Sequence, residues 1–131
     1  MNAMTAECGT GPAAQGTAVL AGMMRLALSI RDLLDDESEE GRVAIACAAR
    51  NRMRRFGLPR ETGGARDITD PVLCRALALA CLVLLGDLAD PTDGATHFHR
   101  HTEQPDWAAA ATAKALIGRH IFYALDRQPD A

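Results

Sequence analysis

The sequence predicts a small α+β domain, helical through its first two thirds and stranded toward its end. Three observations predict it. Leu20, Met23, Met24, Ala27, Ile30 and Leu34 recur at spacings of three and four, which gives the apolar stripe of a helix. Two further apolar segments each end in a glycine, Gly57 and Gly86, and begin beside residues suited to cap a helix, Ser38 and Asp70. Finally, Thr96-His97-Phe98-His99 alternates and Ile121-Phe122-Tyr123 is β-branched and aromatic, both signatures of short strands.

Taken in order, residues 1–16 are rich in Gly, Ala and Thr without periodicity and read as a flexible N-terminal arm. The first helix starts at Thr17 and runs into the acidic stretch 35–40, so that it joins the second helix almost without a loop. The second helix spans Glu39 to Phe56: its acidic start suits the positive end of the helix dipole, Ser38 caps it, and Gly57 stops it with Pro59 just beyond. Residues 57–70 read as a loop. Asp70-Pro71 then opens a third helix over 71–85, closed by Gly86. Because that helix is apolar nearly all round, it is expected to be the central buried one. Residues 90–94 form a turn by composition, Pro105-Asp106-Trp107 is a break, and the Ala-rich stretch 108–116 is helical by propensity.

Composition narrows the function. The chain has 131 residues, 48% apolar and 24% charged, enough for one domain with a core of its own. With 14 basic against 17 acidic residues it lacks the footprint of a sequence-blind nucleic-acid binder, although Arg50, Arg52, Arg54 and Arg55 form a local basic patch. The longest apolar run, 76–85, is about half of what crosses a bilayer, so no transmembrane helix is expected. No Lys or Arg precedes Arg25, hence no secretory signal with a charged start is visible, and a cytoplasmic chain is expected. Cys47, Cys74 and Cys81 lie in apolar helical stretches without a C-x-x-C pair, which favours buried thiols over a zinc module.

His97, His99 and His101 would share one face of a strand, and imidazole is a common zinc ligand. Three histidines on one short segment strain a tetrahedral site, however, and Glu103 is the sole carboxylate nearby in sequence. A structural or substrate-contacting role for His97 is expected instead, with no metal and no cofactor. The acidic run 35–40 could hold a general acid but reads first as a solvated helix start. Trp107, the single tryptophan, reads as core or as a platform for a sugar ring.

Three blocks in the last third carry a family resemblance. Asp90-Pro91-Thr92-Asp93-Gly94-Ala95-Thr96-His97-Phe98-His99 is followed by Pro105-x-Trp107-Ala108 and then by Ile117-Gly118-Arg119-His120-x-Phe122-Tyr123. In order and spacing this resembles the SleB-type, or spore-cortex-lytic-like, cell wall hydrolases, which read close to DPTGGATHFH, P-x-WA and IG-x-H-x-FY. Upstream, Leu26-Ala27, Glu40-Gly41-x-Val43-Ala44, Asn51-Arg52, Leu79-Ala80 and Leu84-x-Gly86 fit the same pattern, so the resemblance covers about residues 24–125. It implies a single domain over 17–131 that is lysozyme-like, with about three helices followed by a short antiparallel β-hairpin, and a strand where propensity alone gives a helix at 108–116. It also implies a peptidoglycan glycosidase, of muramidase or lytic transglycosylase type, cleaving between N-acetylmuramic acid and N-acetylglucosamine. Glycan strands are the implied partner, contacted by Thr96, His97, Phe98, Trp107 and Tyr123, and would be reached by release without a signal of the chain's own.

One departure bears on the chemistry. The family carries its acid in a segment resembling Y-G-E-A-R-G-E, and its gapless alignment on Glu40-Gly41 puts Leu33 where the catalytic Glu is expected, while the motif's second Glu matches Glu37. Leucine cannot deliver a proton to a leaving oxygen. Glu37 is then the substitute acid and Asp36 the second candidate, since in a continuous helix both lie one turn beyond Leu33, with Leu33 and Leu34 as the apolar walls a general acid needs. The alternative is a catalytically degenerate relative acting as a glycan-binding or structural/interaction module.

Overall fold

The computed structural model describes residues 12–59, 69–86 and 88–129. Helix α1 (Pro12–Ile30) runs into a single 3₁₀ turn (Arg31–Leu33) and is followed by α2 (Glu39–Phe56) and α3 (Pro71–Leu85). Strands β1 (His97–Arg100), β2 (Ala113–Ile117) and β3 (His120–Tyr123) follow, with a second 3₁₀ turn (Asp106–Ala108) between the first two. The domain is therefore α+β, with three helices ahead of an antiparallel sheet in the order β1-β3-β2. A hairpin was expected. The β2–β3 pair is that hairpin, and β1 adds a third strand along the other side of β3.

The caps read from the sequence hold α2 and α3. Ser38 Oγ accepts from the Gly41 amide at 3.1 Å, and Asp70 Oδ1 accepts from the Val72 amide at 3.0 Å. Gly86, at φ +80°, donates its N–H to the last turn of α3, a left-handed stop that a side chain resists. Helix α1 starts at Pro12 rather than Thr17, proline being suited to a first helical position. Residues 12–16 of the expected arm are thus helical, and residues 1–11 lie outside the described ones. The join between α1 and α2 is longer than expected, because the chain tightens into the 3₁₀ turn and leaves helical geometry until Glu39. The Ala-rich stretch ends as β2: pairing with β3 overrides its helix propensity from Ala113 onward.

Leu26, Ala27 and Ile30 of α1, residues 44–48 of α2, Leu73, Ala76, Ala80 and Val83 of α3, and Ile117 and Phe122 of the sheet form one buried cluster. Each fully buried leucine, isoleucine or phenylalanine contributes about 1.5–3 kcal/mol of apolar transfer. The enclosed helix is α2, not α3. Burial in α3 follows the narrow stripe 73, 76, 80, 83, and its opposite side leaves Cys74, Leu82 and Leu85 exposed. Of the three cysteines expected inside, Cys47 alone is buried; Cys74 is exposed and Cys81 half-buried. Arg50 leaves the expected basic patch: it is buried, and its Nη1 donates to the Val83 carbonyl at 3.0 Å. Among the described residues no helix is long and apolar enough to cross a membrane.

Candidate functional site

Alternation along β1 and β3 sorts their side chains onto two faces. His97, His99 and Tyr123 share one face, and Phe98, Arg100, His120 and Phe122 share the other. Trp107, carried by the second 3₁₀ turn, stands over the first face with ring centroids 5.8 Å from His97, 5.7 Å from His99 and 5.2 Å from Tyr123. On the other face Phe98 meets Phe122 at 5.5 Å and His120 at 5.4 Å.

Hydrogen bonds fix the histidine tautomers. A carbonyl only accepts, so His99 Nδ1 donates to the Arg100 carbonyl at 2.6 Å and Nε2 accepts from the Tyr123 hydroxyl at 2.9 Å. Thr96 Oγ1 accepts from the Leu125 amide at 3.1 Å and donates to His97 Nδ1 at 2.9 Å, while His97 Nε2 donates to Gln128 Oε1 at 2.6 Å. Burial holds His97 below the ordinary imidazole range; the Gln128 oxygen opposes this and the Arg52 charge reinforces it. His101 lies past the end of β1 in an exposed turn, so the three histidines do not converge.

The loop leading into β1 is organised around Asp90. Its Oδ1 accepts from the Thr92 amide at 2.8 Å and hydroxyl at 2.6 Å, and its Oδ2 from Asn51 Nδ2 at 2.8 Å and the Gly94 amide at 3.1 Å. Burial alone pushes this carboxyl up, but these hydrogen bonds together outweigh it and hold it below the ordinary range. Asn51 also donates to the Ala95 carbonyl at 2.9 Å, so α2 sets the height at which β1 begins.

Glu37 occupies the opposite end of the sheet's inner face. His120 Nδ1 donates to its Oε1 at 2.6 Å, and the Arg119 amide donates to both oxygens at 3.1 and 3.3 Å. The Glu37 side chain is 2% exposed. Gly118 turns β2 into β3 at φ +60°, and a Cβ there or at Gly41 would run into the Glu37 carboxylate. Leu33 is half-buried against the core, and Asp36 is an exposed carboxylate 4.0 Å from both Arg100 and Arg119.

A cleft of about 420 Å³ opens at the β1 edge, lined by Phe98, His99, Glu103, Gln104, Pro105 and Trp107. The strand, turn and loop that build it all lie in the chain's second half, and the cell wall hydrolase family model matches residues 58–123, half of the chain. The chain belongs to the cell wall hydrolase family, of the SleB type. No match was found among curated proteins or among solved structures.

In this member of the family the expected binding residues divide. Phe98 and Trp107 line the cleft. Thr96, His97 and Tyr123 are buried, at 4%, 3% and 6% exposure, and brace the wall from behind. Neither Glu37 nor Asp36 lines it. The cleft residues that sequence reasoning passed over as site residues are His99, Glu103, Gln104 and Pro105. Of these, Glu103 and Gln104 fall between two family blocks; Glu103 is visible in the sequence only as a carboxylate near the histidines, and no motif marks Gln104.

Proposed function

We propose that this chain takes a glycan strand of peptidoglycan into the β1-edge cleft and cleaves it between N-acetylmuramic acid and N-acetylglucosamine, as a muramidase or lytic transglycosylase. The observation that carries the reading is the cleft itself: two aromatic walls, Phe98 and Trp107, with Glu103 and Gln104 beside them. Sugars present apolar ring faces to aromatic walls and hydroxyls to polar neighbours, which this lining supplies. Glu37 serves as a positioning residue in this reading: its enclosed carboxylate pins the β2–β3 turn through Arg119 and His120. The test is digestion of purified sacculi with mass spectrometry of the soluble products. Anhydro-muramic ends identify a transglycosylase, and reducing muramic ends a muramidase.

A second reading, a degenerate relative that binds glycan without cleaving it, is favoured by Leu33, which the sequence resemblance puts at the family's acid position and which packs against the core. It is distinguished by a wild-type chain that sediments with sacculi without releasing products, together with products gained in Leu33→Glu.

A further inference from the structure

The cleft has a carboxylate, but it belongs to none of the residues that the family pattern nominates. Leu33 has no proton to give, Glu37 is closed in by Arg119 and His120, and Asp36, which lies 4.0 Å from both Arg100 and Arg119, is not among the cleft-lining residues. Glu103 alone among the cleft-lining residues carries a carboxyl.

Although Glu103 is exposed, its carboxylate is held. The Arg100 amide donates to Glu103 Oε1 at 2.9 Å, while the Glu103 amide donates back to the Arg100 carbonyl at 2.9 Å. That carbonyl also accepts from His99 Nδ1 at 2.6 Å, which ties the turn to an imidazole buried under Trp107. The reciprocal pair fixes one carboxylate oxygen at the end of β1, on the cleft that Phe98 and Trp107 also line. A saccharide lying on those rings would cover this carboxyl and exclude water from it, the setting in which a carboxyl transfers protons to a bound substrate.

We infer that Glu103 is the catalytic carboxyl of this cleft, an assignment that rests on the glycosidase reading. Its carboxyl proton passes to the glycosidic oxygen as the bond from C1 of the muramic acid to that oxygen breaks, the electron pair leaving with the oxygen as the new hydroxyl of N-acetylglucosamine. The resulting Glu103 carboxylate then takes a proton from the C6 hydroxyl as that oxygen bonds to C1, closing a 1,6-anhydro ring, or from water, giving a reducing end. The proton count closes in either case, with no co-reactant besides water.

The experiment compares the full chain with Glu103→Gln on purified sacculi, following both co-sedimentation and soluble products. Glutamine retains an oxygen for the Arg100 amide, so the turn survives, and circular dichroism checks that the fold does too. The expected result is unchanged co-sedimentation with product release down by ~10²–10⁴, the usual worth of a general acid. Product release at the wild-type rate overturns the assignment, as does loss of co-sedimentation in step with product, which would make Glu103 a binding residue. A wild-type chain that binds without cleaving overturns it as well and leaves a glycan-binding module. A wild-type chain that neither binds nor cleaves removes the glycosidase reading itself.

Discussion

The Glu37 carboxylate accepts a 2.6 Å hydrogen bond from Nδ1 of His120, joining positions 83 apart in the chain. It ties the segment entering α2 to the first residue of β3, and with it the helical half of the domain to the sheet. Removing the carboxylate leaves the imidazole N–H and the Arg119 amide without their acceptor, at about 1–3 kcal/mol for a buried donor. Glu37→Ala is therefore expected to lower the thermal midpoint by several degrees, and Glu37→Gln by less because it keeps an acceptor oxygen. Gly118→Ala is expected to destabilise comparably, since its Cβ meets the same carboxylate at a backbone angle of φ +60°. A thermal melt of the three variants checks the order, and a Gly118→Ala protein as stable as wild type would contradict the clamp.

Trp107 joins the cleft to the buried face behind it. Truncation to alanine removes a cleft wall but none of the hydrogen bonds of His97, His99 or Tyr123. Trp107→Ala is expected to weaken sedimentation with glycan by about 1–2 kcal/mol, roughly 5- to 30-fold, while the chain stays folded. Wholesale unfolding would make Trp107 a core residue instead.

Acid should destabilise the domain in two stages. His97 titrates below the ordinary 6.5 and Asp90 below 3.8 in the folded chain. For both, the unfolded chain binds the proton more readily, so their stabilising contributions are complete above those ordinary values and are lost as pH falls through the lower folded-state ones. Melting temperature is expected to fall first below about pH 6.5 and again below about pH 4. His97→Gln should flatten the first stage and Asp90→Asn the second. A wild-type profile level from pH 7 to pH 3 would contradict both.

The thiols are expected to react in order of exposure. In a Cys8→Ser background, Cys74 should label first, Cys81 more slowly, and Cys47 only on unfolding. Burial pushes the Cys47 thiol up, the Arg50 charge opposes this, and Asp90 adds to the rise. Mass spectrometry of timed alkylation reads the order directly.

What the sequence made legible was local. Ser38, Gly57, Asp70 and Gly86 mark helix ends because capping is a matter of a few neighbouring residues. The alternation of Thr96 to His99 correctly separated two faces of a strand, but period two does not say which face is covered. Thr96, His97 and Tyr123 are buried because Trp107 and the C-terminal residues Leu125 and Gln128 close over them. The apolar girth of α3 suggested enclosure, yet a helix is buried only where neighbours lie, and its outer stripe stays open. Glu103 was legible as a carboxylate near the histidines; its place on the cleft depends on the turn that its own side chain closes at Arg100.

The most direct test of function is incubation of the purified chain with isolated sacculi, followed by mass spectrometry of what becomes soluble. Release of disaccharide-peptide fragments ending in muramic acid, anhydro or reducing, is the predicted result. Neither soluble fragments nor sedimentation of the chain with the sacculi would contradict a function on peptidoglycan strands.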